Sequence, residues 1–128
     1  MPTEQLLLRG TSGLVHGEIF PIRKGQTVII GRSRGCDICL KRIKRYMDLP
    51  ENERDKDKDF LSVSRRHIRL TFQDAARVEL EDLSANGTYL DGKKMEQTVV
   101  LSDLSSVVHE LMLGPREKFR LEYVAGDG

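Results

Sequence analysis

At 128 residues the chain is long enough for one domain with a real hydrophobic core, without disulfides or metal. Its 21 lysines and arginines stand against 20 acids, a net charge of +1 that argues against a general nucleic-acid binder. Cys36 and Cys39 alone make no secreted disulfide framework, and the first ten residues have neither the basic start nor the long apolar run of a signal peptide or membrane span. A reducing compartment, by default the cytoplasm, and no membrane partner are therefore expected.

Strand-like runs occur at 4–9, 16–22, 26–32 and 36–40. Farther along, Ile68, Leu70 and Phe72 alternate with Arg69, Thr71 and Gln73, and Val78 and Leu80 with Glu79 and Glu81. Further runs follow at 88–90, 94–101 and 109–114, and Phe119, Leu121 and Tyr123 close the series around Arg120 and Glu122. A period of two, apolar in and polar out, is what a half-buried antiparallel sheet requires. Turn signals separate the runs: Lys24-Gly25, Arg34-Gly35, Asn86-Gly87, Asp91-Gly92 and Gly114-Pro115. Asp91-Gly92 has the form of a two-residue hairpin turn. The pattern predicts an all-β antiparallel sandwich of about ten to eleven strands, one domain over 1–128 with its core at about 5–124.

One segment departs from this pattern. Residues 41–59, KRIKRYMDLPENERDKDKD, show little apolar periodicity, begin basic and become mixed or acidic. Composition reads them as a solvated loop. A short helix starting near Pro50, with acids in its first turn, is the second reading. A loop of this length inside a domain points to a functional role.

Three pieces at strand ends carry chemistry: Gly31-Arg32-Ser33, Ser64-Arg65-Arg66-His67, and Asp82 to Thr88 with Asn86-Gly87 at its centre. Singly, each has an ordinary explanation: a solvated arginine, a local capping bond, a hairpin turn. In this order they resemble the forkhead-associated (FHA) family, whose pattern is Gly-Arg, then Ser-x-x-His, then Asn-Gly. The resemblance runs from about Leu6 to Val124, supported by Cys36-Asp37-Ile38-Cys39-Leu40 and by Asn86 through Gly92.

The resemblance implies an FHA-type sandwich with a long charged insertion at 41–59, a signalling adaptor that binds a threonine-phosphorylated protein or peptide. Arg32, Ser64, Arg65 and Asn86 are the implied phosphopeptide-binding residues. A phosphothreonine brings close to two negative charges and three acceptor oxygens. Arg32 offers it a planar fork of donors, Ser64 a hydroxyl, and Arg65 further charge or a backbone N–H. Asn86 has an amide suited to holding an extended peptide main chain. Gly31, His67 and Gly87 are expected to support the site, His67 by bracing the serine-bearing loop, with Ser33 and Arg34 as secondary contacts. The family prefers phosphothreonine because its extra methyl fills a small pocket, and the third residue beyond it tunes partner choice.

Ala85 stands where many members carry threonine or serine, removing one peptide contact. Residues 101–108 replace the family's common Gly-Asp turn, far from the expected site. The 41–59 insert precedes Ser64 and is expected beside the peptide-binding end, where its basic half would attract phosphorylated partners and its acidic half repel them or occupy the site.

Other chemistries fit poorly. Cys36-x-x-Cys39 lacks a second Cys/His pair for zinc, and in a strand its two thiols would face opposite sides. There is no Gly-x-Ser-x-Gly elbow, and Asn86-Gly87-Thr88 matches a glycosylation acceptor with no secretory signal to expose it. No catalytic residue, metal or cofactor is expected. The alternative is a phosphorylation-independent assembly module using a sandwich face or the insert, and DNA or RNA binding through Lys41–Arg45 ranks third. A phosphorylated Thr3 engaging its own or a neighbouring chain is a minor further reading.

Overall fold

The period-two runs form strands whose inward side chains meet in a single core between two sheets. The computed structural model describes residues 4–54 and 56–125, so Thr3 lies outside the described residues. Eleven strands are present among them: β1 (Glu4–Ser12), β2 (Ile19–Arg23), β3 (Gln26–Gly31), β4 (Ile38–Cys39), β5 (Ile68–Asp74), β6 (Arg77–Asp82), β7 (Thr88–Leu90), β8 (Lys93–Lys94), β9 (Thr98–Leu101), β10 (His109–Leu113) and β11 (Glu117–Ala125). One sheet has the order β2-β1-β11-β10-β7-β8, the other β4-β3-β5-β6-β9. Leu6 and Leu8 of β1, Ile68, Leu70 and Phe72 of β5, Leu80 of β6, and Phe119 and Leu121 of β11 are fully buried. Burying each such side chain stabilises the fold by about 1.5–3 kcal/mol.

Three of the expected runs differ most from the strands found. The 94–101 run is two strands in two sheets: Lys93 and Lys94 pair with β7, whereas Thr98–Leu101 pairs with β6. Met95 is buried between them, its N–H donating to the Thr88 carbonyl at 2.9 Å, and carries the chain from one sheet to the other. The 36–40 run contracts to Ile38–Cys39, which pairs with β3 in parallel, the one parallel pairing among the described residues. The 16–22 run starts only at Ile19, because a 3-10 turn, Gly13–Val15, precedes it. At the β7–β8 hairpin, Asp91 and Gly92 have φ of 52° and 84°, the left-handed pair that matches the twist of a tight hairpin.

The largest correction concerns 41–59, whose described residues are largely helical rather than a loop. After a 3-10 turn at Leu40–Arg42 come three short helices, α1 (Lys44–Met47), α2 (Glu51–Arg54) and α3 (Lys58–Leu61). The second helix begins directly after Pro50, as the second sequence reading expected. Ile43, Tyr46 and Phe60 are buried, and the Tyr46 and Phe60 rings stack with centroids 4.8 Å apart. Asp57 caps α3 by accepting from the Phe60 N–H at 3.0 Å, and its other oxygen accepts from Arg116 Nη2 at 2.9 Å. Few apolar residues suffice because each is an aromatic or branched side chain spent wholly on the core. No helix among the described residues is long and apolar enough to cross a membrane.

Candidate functional site

The motif loops are held together mainly by backbone contacts. Gly31 ends β3 against the loop before β5, where a Cβ would lie 2.1 Å from the Arg65 carbonyl oxygen. Glycine is thus required for the close approach of these two backbone segments. Beyond it, the Arg32 N–H donates to the Ser64 carbonyl (3.2 Å) and the Ser33 N–H to the Arg65 carbonyl (2.9 Å). These bonds set Arg32 beside the serine loop.

His67 is fully buried beneath that loop. Its Nδ1 accepts from the Ser64 N–H at 3.0 Å, so the ring proton sits on Nε2, which donates to the Gly87 carbonyl at 3.0 Å. Burial pushes the imidazole pKa down, favouring this neutral tautomer. One ring therefore ties the serine loop to the asparagine loop. Gly87 itself adopts φ +99°, a left-handed turn that side chains rarely tolerate.

The asparagine loop crosses from β6 to β7, between the two sheets, and so is no hairpin. Asp82 organises it, accepting from the Ser84 N–H (3.0 Å), Ser84 Oγ (2.6 Å) and Thr88 Oγ1 (2.9 Å), while Ser84 Oγ accepts from the Gly87 N–H (2.9 Å). Burial pushes the Asp82 carboxyl up, but the hydrogen bonds from Ser84 and Thr88 outweigh it and hold the carboxyl low. The loop presents Asn86 exposed, with Nδ2 donating to the Ser62 carbonyl at 2.9 Å. The Asn86 Oδ1 and the second Nδ2 proton remain available.

Ser64 Oγ accepts from the Ala85 N–H at 2.9 Å. Its acceptor role is thus occupied on one side, and its single proton is free to donate outward. Arg32 Nε donates to the Val63 carbonyl, which fixes the stem and leaves the two terminal nitrogens of the fork for another acceptor.

Arg32, Ser33, Arg34, Lys41 and Arg65 line one open cleft of about 330 Å³. Among the described residues, none of these four cations has a carboxylate within salt-bridge distance, whereas Arg9, Arg69, Arg77, Arg116 and Arg120 elsewhere all do. Such a cleft focuses positive potential on an incoming anion. The structure therefore brings Arg32, Arg65, Ser33 and Arg34 together. Ser64 and Asn86 stand on the adjoining loops, joined by the Ser64–Ala85 and Asn86–Ser62 bonds. Gly31, His67 and Gly87 lie beneath them.

Two contributions escaped the sequence. Lys41, the first residue of the insert, lines the cleft; only the basic run 41–45 hinted at it. The cysteines brace the same loops, the Cys36 thiol donating to the Arg65 carbonyl (3.1 Å) and the Cys39 thiol to the Arg32 carbonyl (3.7 Å). The two thiols do not face opposite sides of a strand, since Cys36 precedes β4 and both turn toward the Arg32 and Arg65 backbone. Burial pushes the Cys36 thiol pKa up and keeps it a neutral donor. Among the described residues no cluster of three metal-binding side chains occurs.

Residues 28–108 match the FHA domain family, and no curated protein sequence matches the chain. The structure is similar to the FHA domain of an Arabidopsis thaliana hypothetical protein, at 25% identity and a TM-score of 0.69 over 98% of this chain and 91% of that one. An FHA domain from Chlamydia trachomatis is 24% identical, with a TM-score of 0.67 over 94% of this chain and 99% of that one. EmbR of Mycobacterium tuberculosis, solved in complex with a low-affinity phosphopeptide, is 20% identical with a TM-score of 0.63; the match covers 97% of this chain and 26% of EmbR. The last two likenesses speak for the fold alone.

Proposed function

This chain belongs to the FHA domain family, and on that premise we propose that it binds phosphothreonine in extended segments of partner proteins, as a signalling adaptor. The carrying observation is the cleft of four cations without carboxylate partners, set beside a serine whose hydroxyl proton is free. In this reading the phosphoryl oxygens take the terminal nitrogens of Arg32, the Ser64 hydroxyl and the charge of Arg65. Ser33 and Arg34 add polar and charged contacts on the near wall. Asn86 uses its free oxygen and second amide proton on the peptide backbone, which fixes the register of the flanking residues. His67 works through the loops it ties, as a positioning residue. The threonine preference follows from the family resemblance: the extra methyl fills a small pocket.

The discriminating experiment is titration of a phosphothreonine peptide library against the wild-type chain and Arg32→Ala. The expected result is binding that disappears after phosphatase treatment and weakens by about 100-fold in the variant, the effect of losing a charged bidentate contact. Binding indifferent to both treatments would instead favour a phosphorylation-independent assembly module.

A further inference from the structure

A second basic cleft adjoins the first. Arg34, Lys41, Arg42, Tyr46, Met47 and Arg54 line about 280 Å³ of open space, sharing Arg34 and Lys41 with the Arg32 cleft. It is built almost wholly by the 41–59 insert. Arg54 is not a free surface side chain: Nε donates to the Leu49 carbonyl (3.1 Å), Nη2 to the Met47 carbonyl (2.7 Å), and the guanidinium lies 5.7 Å from the Tyr46 ring centroid. Tyr46 in turn stacks on the buried Phe60. The fork is thus fixed to the core while its charge meets only carbonyls and a ring. Among the described residues, none of the four cations in this cleft has a carboxylate partner, and no acid lines it. Two of the insert's acids are engaged elsewhere, Asp48 by Lys44 at 2.7 Å and Asp57 by Arg116 at 2.9 Å.

From this geometry we infer that the partner carries a second phosphorylated residue, held in the insert-built cleft while the phosphothreonine occupies the Arg32 cleft. The inference rests on the proposed phosphothreonine reading. Four cations around one small space exceed what a single carboxylate needs, whereas a phosphate monoester supplies nearly two charges and three acceptors. Because the clefts share two walls, the two phosphates lie close. At ~3.3 Å per residue of extended chain, a separation of roughly two to four residues spans them. The insert then acts as a counter of phosphates, and partner selection depends on the number and spacing of modified residues.

Fluorescence anisotropy on the full chain tests this with four probes of one peptide sequence: phosphothreonine alone, phosphothreonine with a second phosphoresidue two to four positions away on either side, phosphothreonine with glutamate there, and a DNA duplex of matched charge. The expected result is at least ten-fold tighter binding from one placement of the second phosphate, with glutamate giving much less. Arg42→Gln and Arg54→Gln should erase the gain and leave binding of the singly phosphorylated peptide unchanged. Arg42→Glu, at an exposed position, serves as the variant that cannot fail through the core. The inference is overturned if no placement tightens binding, if the gain survives these substitutions, if glutamate matches phosphate, or if the duplex binds as tightly as the doubly phosphorylated peptide. Loss of singly phosphorylated binding altogether, with Arg32→Ala no different from wild type, defeats the underlying phosphothreonine reading instead, and this inference with it.

Discussion

His67 and His109 are both buried in this sandwich, yet their surroundings shift their pKa values in opposite directions. His67 meets an N–H on one side and a carbonyl on the other, a pair that a neutral imidazole satisfies and an imidazolium does not. Burial pushes its pKa down. His109 meets carboxylates on both sides, Asp91 Oδ2 at 2.5 Å from Nδ1 and Asp103 Oδ1 at 2.7 Å from Nε2. Burial pushes His109 down as well, but the two aspartates outweigh it and raise its pKa. Burial decides the shift of His67, and the two aspartates decide that of His109. The first ring joins two loops of the candidate site; the second clamps the β7–β8 turn to the 101–108 loop.

The largest effect is expected from His67→Ala. It leaves the Ser64 N–H and the Gly87 carbonyl without their partner and opens a cavity, so a loss of about 3 kcal/mol in unfolding free energy is expected by urea denaturation. Phosphopeptide affinity should fall with it under conditions where the variant remains folded. A variant of wild-type stability would mean that the imidazole does not hold the loops.

The pH dependence of stability comes next, and its two limbs belong to different rings. His67 has a folded-state pKa below the ordinary 6.5, so its contribution is complete above that value and declines as pH falls below it. His109 has a folded-state pKa above 6.5, so its contribution is complete below 6.5 and is lost as pH rises through the raised value. Thermal unfolding between pH 5 and 8 should show His109→Asn flattening the alkaline-side decline while leaving the acid-side decline in place. Equal slopes in wild type and variant on the alkaline side would remove His109 from the account.

Asp103→Asn should give the smallest effect. Its side chain is about half exposed, at 49%, so water screens the pair and only a small loss of stability is expected, well below that of His67→Ala. Because Asp91 remains, an intermediate alkaline-side slope should be seen in the same thermal series. A loss as large as that of His109→Asn would mean that Asp103 alone carries the clamp.

Most strands were legible because side chains alternate with the backbone pleat, and Ile68, Leu70 and Phe72 could satisfy that period in only one register. The site loops were legible through the ordered motif of Arg32, Ser64 and Asn86, which survives as linear text. The insert was not. Ile43 and Tyr46 are core residues isolated in a charged stretch, with Phe60 and Val63 just past its end, and composition averages them away. Nor was the break at Met95 legible, since a strand that ends and a chain that changes sheets read alike when both contain valine and lysine. The thiols were misplaced for a related reason: Cys36 lies outside β4, so strand alternation does not govern it.

Linear order thus settled the sandwich class, the alternation of its core and the identity of the residues at the strand ends, because local periodicity and short motifs are properties of neighbours along the chain. The fold settled what those residues face. Arg32 and Arg65 gained Lys41 as a neighbour, Arg54 was fixed over Tyr46, and two histidines acquired opposite pKa shifts. Those outcomes depend on distances between segments far apart in sequence, and burial and Coulomb interactions act through space, whatever the separation along the chain.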